Sequence, residues 1–153
     1  MAVELVDAQV VRPLRRAVLR PDQPVANSRY PADDDPSTAH AAVRLTKDTH
    51  VVAVGSVLLD PPPWAPHRSD GWRIRGMATL PDARRRGFGS LVLQALLDHV
   101  GAQGGGLAWC NARVSAQTLY ARAGFSPRGE IFDLPGIGPH IQMFRIVTGG
   151  IPH

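Results

Sequence analysis

The sequence predicts an α/β (α+β) fold in which a mixed sheet carries helices on both faces. Apolar spacing indicates the element order β-α-β-β-β-α-β-α-β-β along 153 residues. The central strand–helix–strand unit implies a parallel pair of strands, whereas the hairpins around it imply antiparallel neighbours. Hydrophobic residues make up 44% of the chain, enough for a real core rather than a disordered chain. We therefore expect a single domain over residues 1–148, followed by a loose tail at 149–153.

The N-terminal half is expected to supply one helix and four strands. Apolar residues at helical spacing between Asp7 and Leu19 predict the helix, with Asp7 as its cap and Pro13 implying a kink or a later start. β-Rich runs and the alternation of side chains predict the strands. The four strands cover residues 2–6, 39–45, 51–59 and 72–80, and a turn at 46–49 makes the second and third a hairpin.

The polar segment at residues 21–37 separates the first helix from the hairpin. It is rich in Pro, Asp and Ser, and its acidic turn Asp33-Asp34-Asp35 favours a solvated loop over a metal site. Loops of this length in compact domains are often functional. We therefore expect either a plain surface loop or one wall of a substrate pocket.

The C-terminal half alternates helices with strands. An apolar stripe predicts a long helix beginning at Phe88, and Gly101–Gly106 ends it. Ser115 is the expected N-cap of a further helix, for which Gly124 suits the C′ position. Three apolar runs predict strands at residues 107–110, 125–132 and 141–147.

The bulk composition limits the classes of function. Lys and Arg total 17 against 13 Asp and Glu, and the net charge of +4 suits an anionic small ligand as readily as nucleic acid. The single cysteine, Cys110, excludes an intramolecular disulfide, suggests no zinc cluster and is expected to be core packing. Without a basic leader or an apolar run of about 20 residues, we expect a soluble, cytoplasmic protein with no membrane partner.

The stretch Arg84-Arg85-Arg86-Gly87-Phe88-Gly89-Ser90 joins a strand to the long helix and carries the chemistry of a phosphate site. A helix N-terminus offers unpaired N–H groups and partial positive charge, and glycines let an anion approach them. Arginine adds forked donors that match phosphate oxygens. No Gly-Lys-Ser/Thr tripeptide follows, and Val92 stands where a dinucleotide fingerprint needs its third glycine. The stretch therefore matches neither a Walker loop nor a dinucleotide loop.

Two motifs together resemble the GNAT N-acetyltransferase superfamily. Arg84-Arg85-Arg86-Gly87-Phe88-Gly89 looks like its Q/R-x-x-G-x-G/A acetyl-CoA motif, at the same strand-to-helix junction. Ala116-Gln117-Thr118-Leu119-Tyr120-Ala121-Arg122-Ala123-Gly124-Phe125 resembles its A-x-x-L/F-Y-x-x-x-G-F element. The resemblance implies a mixed, mostly antiparallel central sheet of about six to seven strands flanked by helices on both faces. It also implies an acyltransferase that moves an acetyl group from acetyl-CoA to a primary amine by direct attack.

The same resemblance assigns the acetyl-CoA site. A bulge at Gly76 would splay the fourth strand from the fifth, and the freed backbone groups would hold the pantetheine arm. The arginine–glycine loop would hold the pyrophosphate, and which arginine reaches the adenosine 3′-phosphate stays open. No metal is expected. The implied acetyl-CoA-binding residues are Met77, Ala78, Thr79, Arg84, Arg85, Arg86, Gly87, Phe88, Gly89, Ser90 and Asn111.

The resemblance also suggests the catalytic groups. Tyr120 would be the general acid that protonates the departing CoA thiolate, the alternative being a purely structural core aromatic. The general base stays open, because the fourth strand offers only Arg73 and Arg75 where many relatives place a glutamate. Candidates are Glu130, His40 and His140, with Asp133 or a water relay as alternatives.

The segment from Gly129 to His140 contains Pro-Gly-Ile-Gly-Pro-His, which resembles a turn between the last two strands of a poorly characterised GNAT branch. We expect it over the acceptor pocket, with Trp64 on the opposite rim; the alternative is a turn without function. Two other classes stay open: a non-catalytic acyl-CoA-binding sensor or interaction module, and a basic nucleic-acid binder, which the lack of interleaved aromatics disfavours. The sequence fixes neither the acceptor nor the choice between monomer and homodimer.

Overall fold

A computed structural model describes residues 2–24, 28–46 and 50–150 of the chain. Its strands are β1 (Ala2–Val6), β2 (Ala39–Arg44), β3 (Val51–Leu59), β4 (Gly71–Thr79), β5 (Gly105–Arg113), β6 (Ser126–Leu134) and β7 (Gly138–Thr148). Its helices are α1 (Ala8–Leu14), α2 (Phe88–Ala102) and α3 (Gln117–Arg122). The predicted order of elements is confirmed. Residues 47–49 of the predicted hairpin turn and residues 151–153 of the predicted tail lie outside the described residues.

The seven strands form one mixed sheet in the order β1-β2-β3-β4-β5-β7-β6. Across the described ranges β4 and β5 are the one parallel pair, and the other neighbours are antiparallel. The main core lies between the sheet and α2 with α3, whereas α1 packs on the opposite face against β2, β3 and β4. The predicted mixed sheet with helices on both faces is confirmed. No helix in the described part of the chain is long and apolar enough to cross a membrane.

The first helix is shorter than predicted. α1 ends at Leu14, and a π-helical turn follows from Arg15 to Leu19. Pro13 lies inside α1, where it has no N–H to donate to the helical ladder. Asp7 holds the N-cap position, but its side chain makes no capping hydrogen bond. Turns of the π type are frequent at functional sites, and this one carries the buried side chain of Arg15.

Strand β5 is longer than predicted because its glycines fit into the sheet. The sequence places Gly105 and Gly106 in the break after the helix, yet both lie in this strand of nine residues. A Cβ atom at Gly106 would meet the carbonyl oxygen of Asp70. A Cβ atom at Gly105 would meet the backbone of Val147 and Gly149. These glycines therefore permit close backbone approach instead of ending the strand.

Helix α3 ends in a Schellman motif. The Phe125 N–H donates to the Tyr120 carbonyl at 3.0 Å, and Gly124 has φ +88°, so the predicted C′ glycine is confirmed. The rings of Tyr120 and Phe125 meet edge-on with their centroids 5.5 Å apart, which is the hydrophobic contact that accompanies the motif. At the other end, Ser115 is not the N-cap, because a short 3₁₀ turn places Ala116 in that position.

Candidate active site

A β-bulge in β4 opens the centre of the sheet. The register between β3 and β4 shifts so that Gly76 and Met77 together face the single residue Gly55. Gly76 has φ +67°, the left-handed conformation that this kind of bulge needs and that glycine adopts without strain. A Cβ atom at Gly55 would meet the Met77 sulfur and a Val92 methyl carbon, so the packing opposite the bulge also favours a glycine. The predicted bulge at Gly76 is confirmed.

Beyond the bulge, β4 separates from β5. Their parallel pairing covers only Gly71–Arg73 against Leu107–Trp109. The gap that follows is a cavity of about 630 Å³, and the segment Met77–Thr79 lies along it. Backbone groups on that side of β4 have no partner strand in the described sheet. The Thr79 carbonyl accepts from the Arg84 Nε at 3.3 Å, and the other backbone groups on this side are available to an extended ligand that carries amide groups.

The loop before α2 forms a second cavity of about 400 Å³. Arg85, with φ 64°, and Gly87, with φ +82°, are both left-handed, so the chain turns tightly before the helix begins at Phe88. No side chain caps this helix in the structure, which leaves its first N–H groups and the positive end of its dipole free. Such a helix N-terminus is suited to a phosphate group.

The two cavities adjoin each other. They share five lining residues, which are Thr79, Arg84, Arg85, Gly89 and Leu119. Of the predicted acetyl-CoA-binding residues, Met77, Ala78 and Asn111 line the larger cavity, and Gly87, Phe88 and Ser90 line the smaller one. Arg86 lines neither cavity and lies with its guanidinium carbon 5.1 Å from the Phe88 ring centroid. The predicted residues are therefore brought together, apart from Arg86.

Tyr120 lines the larger cavity, although it is only 5% exposed. Burial raises its pKa well above the usual value near 10, and the neighbouring Cys110 thiol raises it further. Burial likewise raises the pKa of Cys110 to about 12, so this thiol stays protonated and is not a nucleophile at neutral pH. The Tyr120 hydroxyl therefore keeps its proton over the neutral range and can act as a donor.

His140 on β7 is the one candidate base that lines the larger cavity. Its Nδ1 lies 2.8 Å from the Gly138 carbonyl, and because a carbonyl only accepts, Nδ1 carries the proton. Nε2 is therefore the ring nitrogen that can accept a proton. Glu130 and Asp133 are exposed on β6 and line neither cavity.

His40 on β2 is enclosed instead. Its Nε2 donates to the Asp33 carbonyl at 2.9 Å, and its Nδ1 lies 2.6 Å from the Ser56 hydroxyl. Because the Ser56 oxygen accepts from Arg15 at 2.7 Å, its own proton goes to Nδ1. Burial lowers the pKa of His40, and the Arg15 charge lowers it further, so the ring is neutral with both nitrogens occupied.

Arginines dominate the polar lining of the larger cavity. None of its lining residues within the described ranges is Asp or Glu. Arg73 has a carboxylate 3.6 Å away on Asp60, but Arg75 has no acidic partner among the described residues. Arg113 lies opposite His140 where β5 pairs with β7. The cavity thus carries excess positive charge, and the arginines that line it are Arg20, Arg73, Arg75, Arg84, Arg85 and Arg113.

A buried ion pair supports this side of the cavity. Arg15, only 1% exposed, donates to Asp33 Oδ2 at 2.8 Å and to the Ser28 carbonyl at 3.0 Å. Burial acts to raise the pKa of Asp33, but hydrogen bonds from Arg15 and from the Tyr30 N–H hold it below the usual value. The prediction of a solvated acidic turn is therefore wrong for Asp33. The described residues contain no cluster of His, Cys, Asp or Glu that could hold a metal ion.

Three features of the site differ from the sequence-based expectations. Tyr30 lines the larger cavity but belongs to the irregular loop before β2, where no local pattern marks it. Arg75 was visible in the sequence, since charged residues alternate with buried Trp72 in β4, but its missing counter-charge was not. Trp64 is not on the cavity rim; it packs on Trp109 and on the neighbouring phenylalanine of β7, with ring centroids 6.0 Å apart in each case.

Comparison with known proteins identifies the family. The sequence pattern of the Acetyltransferase (GNAT) family matches residues 9–125. The chain is 30% identical over 145 residues to the uncharacterized N-acetyltransferase YitI of Bacillus subtilis (strain 168), a match that covers 95% of each protein. Its structure is similar to a GNAT superfamily phosphinothricin acetyltransferase from Sinorhizobium meliloti in complex with AcCoA, with a TM-score of 0.72, 17% identity and coverage of 99% and 92% of the two chains.

The ribosomal-protein-S18-alanine N-acetyltransferase from Escherichia coli is similar too, with a TM-score of 0.71, 15% identity and coverage of 98% of this chain and 96% of that one. At such identities the two structures show a shared fold, whereas the family pattern and the Bacillus relative rest on the sequence itself. The fold, the helix N-terminus beside the splayed strand and these matches agree, so the chain belongs to the GNAT family of acetyltransferases and is an acyltransferase.

Proposed function

We propose that this protein transfers the acetyl group of acetyl-CoA to the amine of a small, negatively charged acceptor. The donor half is supported by the adjoining pair of cavities and by the family. The acceptor half rests on one observation, the arginine-rich lining of the larger cavity without a carboxylate among its described residues. An anionic group there gains charge-assisted hydrogen bonds, whereas a polyamine would meet only like charge.

Acetyl-CoA would run through both cavities. Its pyrophosphate would lie at the N-terminus of α2, where the N–H groups after Gly87 and the side chains of Arg84 and Arg85 are available. Its pantetheine amides would pair with the backbone edge of Met77–Thr79, which no strand covers. The thioester would then lie near Tyr120 in the larger cavity, where the acceptor would also bind.

The chemistry is direct transfer. The His140 Nε2 takes a proton from the acceptor ammonium, and the free amine attacks the thioester carbonyl. A backbone N–H of the splayed β4 polarises the carbonyl oxygen as negative charge develops on it. The attacking nitrogen then loses its second proton to bulk water, the C–S bond breaks as the carbonyl re-forms, and Tyr120 gives its proton to the CoA thiolate. Bulk water restores the proton to Tyr120 and removes the one held by His140.

The test is a thiol-release assay with matched pairs of amines. Aspartate is compared with asparagine, phosphoserine with serine, and spermidine serves as a cationic amine. We expect kcat/KM to be roughly 10- to 100-fold higher for the acidic member of a pair, the effect of one or two charge-assisted hydrogen bonds. Arg75→Met is expected to remove most of that difference. Arg128→Met, which loses a guanidinium on Trp64 outside the cavities, is the matched control.

Three outcomes are informative. A preference for spermidine would contradict the anionic acceptor. Acetyl-CoA binding, seen as a thermal shift, without thiol release on any amine would favour the acyl-CoA-binding sensor. If Arg75→Met still prefers the acidic amines, the negatively charged group of the acceptor binds to another arginine of the cavity, Arg73 or Arg113.

A further inference from the structure

The ring of Tyr30 lies between two guanidinium groups. The Arg15 Cζ is 3.9 Å from the ring centroid, and the Arg75 Cζ is 3.8 Å from the same centroid. Two guanidinium groups at these distances cannot share one face, so they cover opposite faces of the ring. The three residues come from the π-helical turn, the loop before β2, and β4. The stack therefore ties that loop to the floor of the cavity.

One end of this stack is fixed. Arg15 is buried, and its guanidinium donates to Asp33 at 2.8 Å, to the Ser28 carbonyl at 3.0 Å and to the Ser56 hydroxyl at 2.7 Å. Asp33 also accepts from the Tyr30 N–H at 3.0 Å, so the same carboxylate holds both the cation and the backbone of the aromatic residue. The Tyr30 ring consequently has little freedom to move away from Arg15.

The other end of the stack faces the acceptor. Arg75 lines the larger cavity, and among the described residues it makes neither a hydrogen bond nor an ion pair. The contact between the Arg75 guanidinium and the Tyr30 ring is thus the one that orients the Arg75 side chain. A guanidinium that rests on an aromatic face keeps the N–H groups at its edge free for an anion. The Tyr30 hydroxyl also makes no hydrogen bond within the described chain, so the contact depends on the ring.

We infer that Tyr30 is a positioning residue for acceptor specificity: held by Arg15, its ring presents the Arg75 guanidinium to the negatively charged group of the acceptor. The inference rests on the proposed function, since it names the device that sets the anion subsite of that reaction. The aromatic ring places a cation that lacks a counter-charge of its own, and the acceptor supplies that charge.

The experiment compares Tyr30→Leu with Tyr30→Phe under steady-state conditions, using aspartate and phosphoserine as acceptors. Tyr30→Leu is expected to raise the acceptor KM by roughly 3- to 30-fold, the range of one cation–π contact. The acetyl-CoA KM should stay within about twofold, and Tyr30→Phe should restore the wild-type acceptor KM because it keeps the ring. Trp64→Leu removes another aromatic–arginine contact outside the cavities and serves as the control. In the double variant Tyr30→Leu/Arg75→Met, the KM should rise no further than in Arg75→Met alone.

Two results would overturn the inference. One is an equal loss of kcat/KM for serine and phosphoserine in Tyr30→Leu, which indicates a general structural role. The other is an additive double variant, which indicates that Tyr30 does not act through Arg75.

If the wild type acetylates no acidic amine, the proposed function fails, and the stack is tested separately by binding. With CoA at saturation, inorganic phosphate should raise the melting temperature of all three proteins. The phosphate concentration needed for the same rise should be at least threefold lower for the wild type and Tyr30→Phe than for Tyr30→Leu. Equal phosphate dependence in all three proteins would refute the positioning role.

Discussion

Gly76→Ala tests the link between the bulge and the buried cation beneath it. An alanine would have to keep φ +67°, which costs about 1–2 kcal/mol for a residue with a Cβ atom. That Cβ would also stand 3.0 Å from Arg15 Nε and 3.3 Å from Tyr30 Cε2. Arg15 cannot retreat, because its guanidinium is held by Asp33, Ser28 and Ser56. Overpacking against such a neighbour adds about 1–3 kcal/mol.

The expected loss is therefore about 2–5 kcal/mol in the free energy of unfolding, from the strain and the overpacking together. At about 2–4 °C per kcal/mol for a chain of this size, the melting temperature falls by roughly 4–20 °C. Urea unfolding followed by circular dichroism measures the free energy directly, and an unchanged slope shows that the unfolded state is the same.

Gly129→Ala is the matched control. Gly129 also has a left-handed φ, +77°, but nothing lies within 4 Å of a Cβ built there, so only the conformational strain applies. Gly76→Ala should therefore be the more destabilised by at least about 1 kcal/mol. If the two variants lose the same stability, the contact with Arg15 contributes nothing and the reasoning about the pinned guanidinium is refuted.

Tyr120→Phe should lower kcat at least about 100-fold, the usual contribution of a general acid, while the acetyl-CoA dissociation constant changes little; equal losses in both would contradict the role. His140→Gln should cost roughly 100-fold at neutral pH, and the loss should shrink as pH rises and the amine loses its proton to solvent; a loss that is the same at all pH values would point to a structural role. Burial and Arg15 lower the pKa of His40, so below about pH 6.5 the unfolded chain takes up a proton that the folded protein does not. Stability should therefore fall between pH 7 and 5, by up to about 1.4 kcal/mol per pH unit, and His40→Gln should flatten that dependence; an unchanged slope in thermal unfolding would contradict it.

The parts of the fold that sequence predicts well are those that depend on local chemistry. A left-handed glycine at the end of α3, a glycine at the bulge and an uncapped helix after an arginine–glycine loop are each set within a few residues. Gly76, Gly124 and the loop at Arg84–Gly89 were readable for that reason. The same holds for Tyr120, whose place relative to Gly124 is fixed by the last turn of its helix.

The parts that were not predictable depend on partners distant in sequence. Asp33 has the local sequence of a solvated acid, but it is buried because it pairs with Arg15, 18 positions away. Ser56, which accepts from the same arginine, lies 41 positions from it. Gly105 and Gly106 at the start of β5 look like a break in the sequence, because the residues packed against them, Gly149 and Asp70, are distant along the chain. Likewise, the residues that line the larger cavity come from several segments far apart in the sequence, so no spacing along the chain marks them as one site.

The short pairing between β4 and β5 has a mechanical consequence. Within the described ranges, the backbone hydrogen bonds between the two halves of the sheet lie only where Asp70–Arg73 runs beside Leu107–Trp109. Helix α2, in contrast, packs against β2, β3 and β4 on one side and against β5 and β7 on the other. The two halves are thus held together by this short ladder and by the side chains of α2, which packs across both of them. Separating β4 from β5 further would therefore disturb the packing of α2 at more places than it would break hydrogen bonds of the sheet.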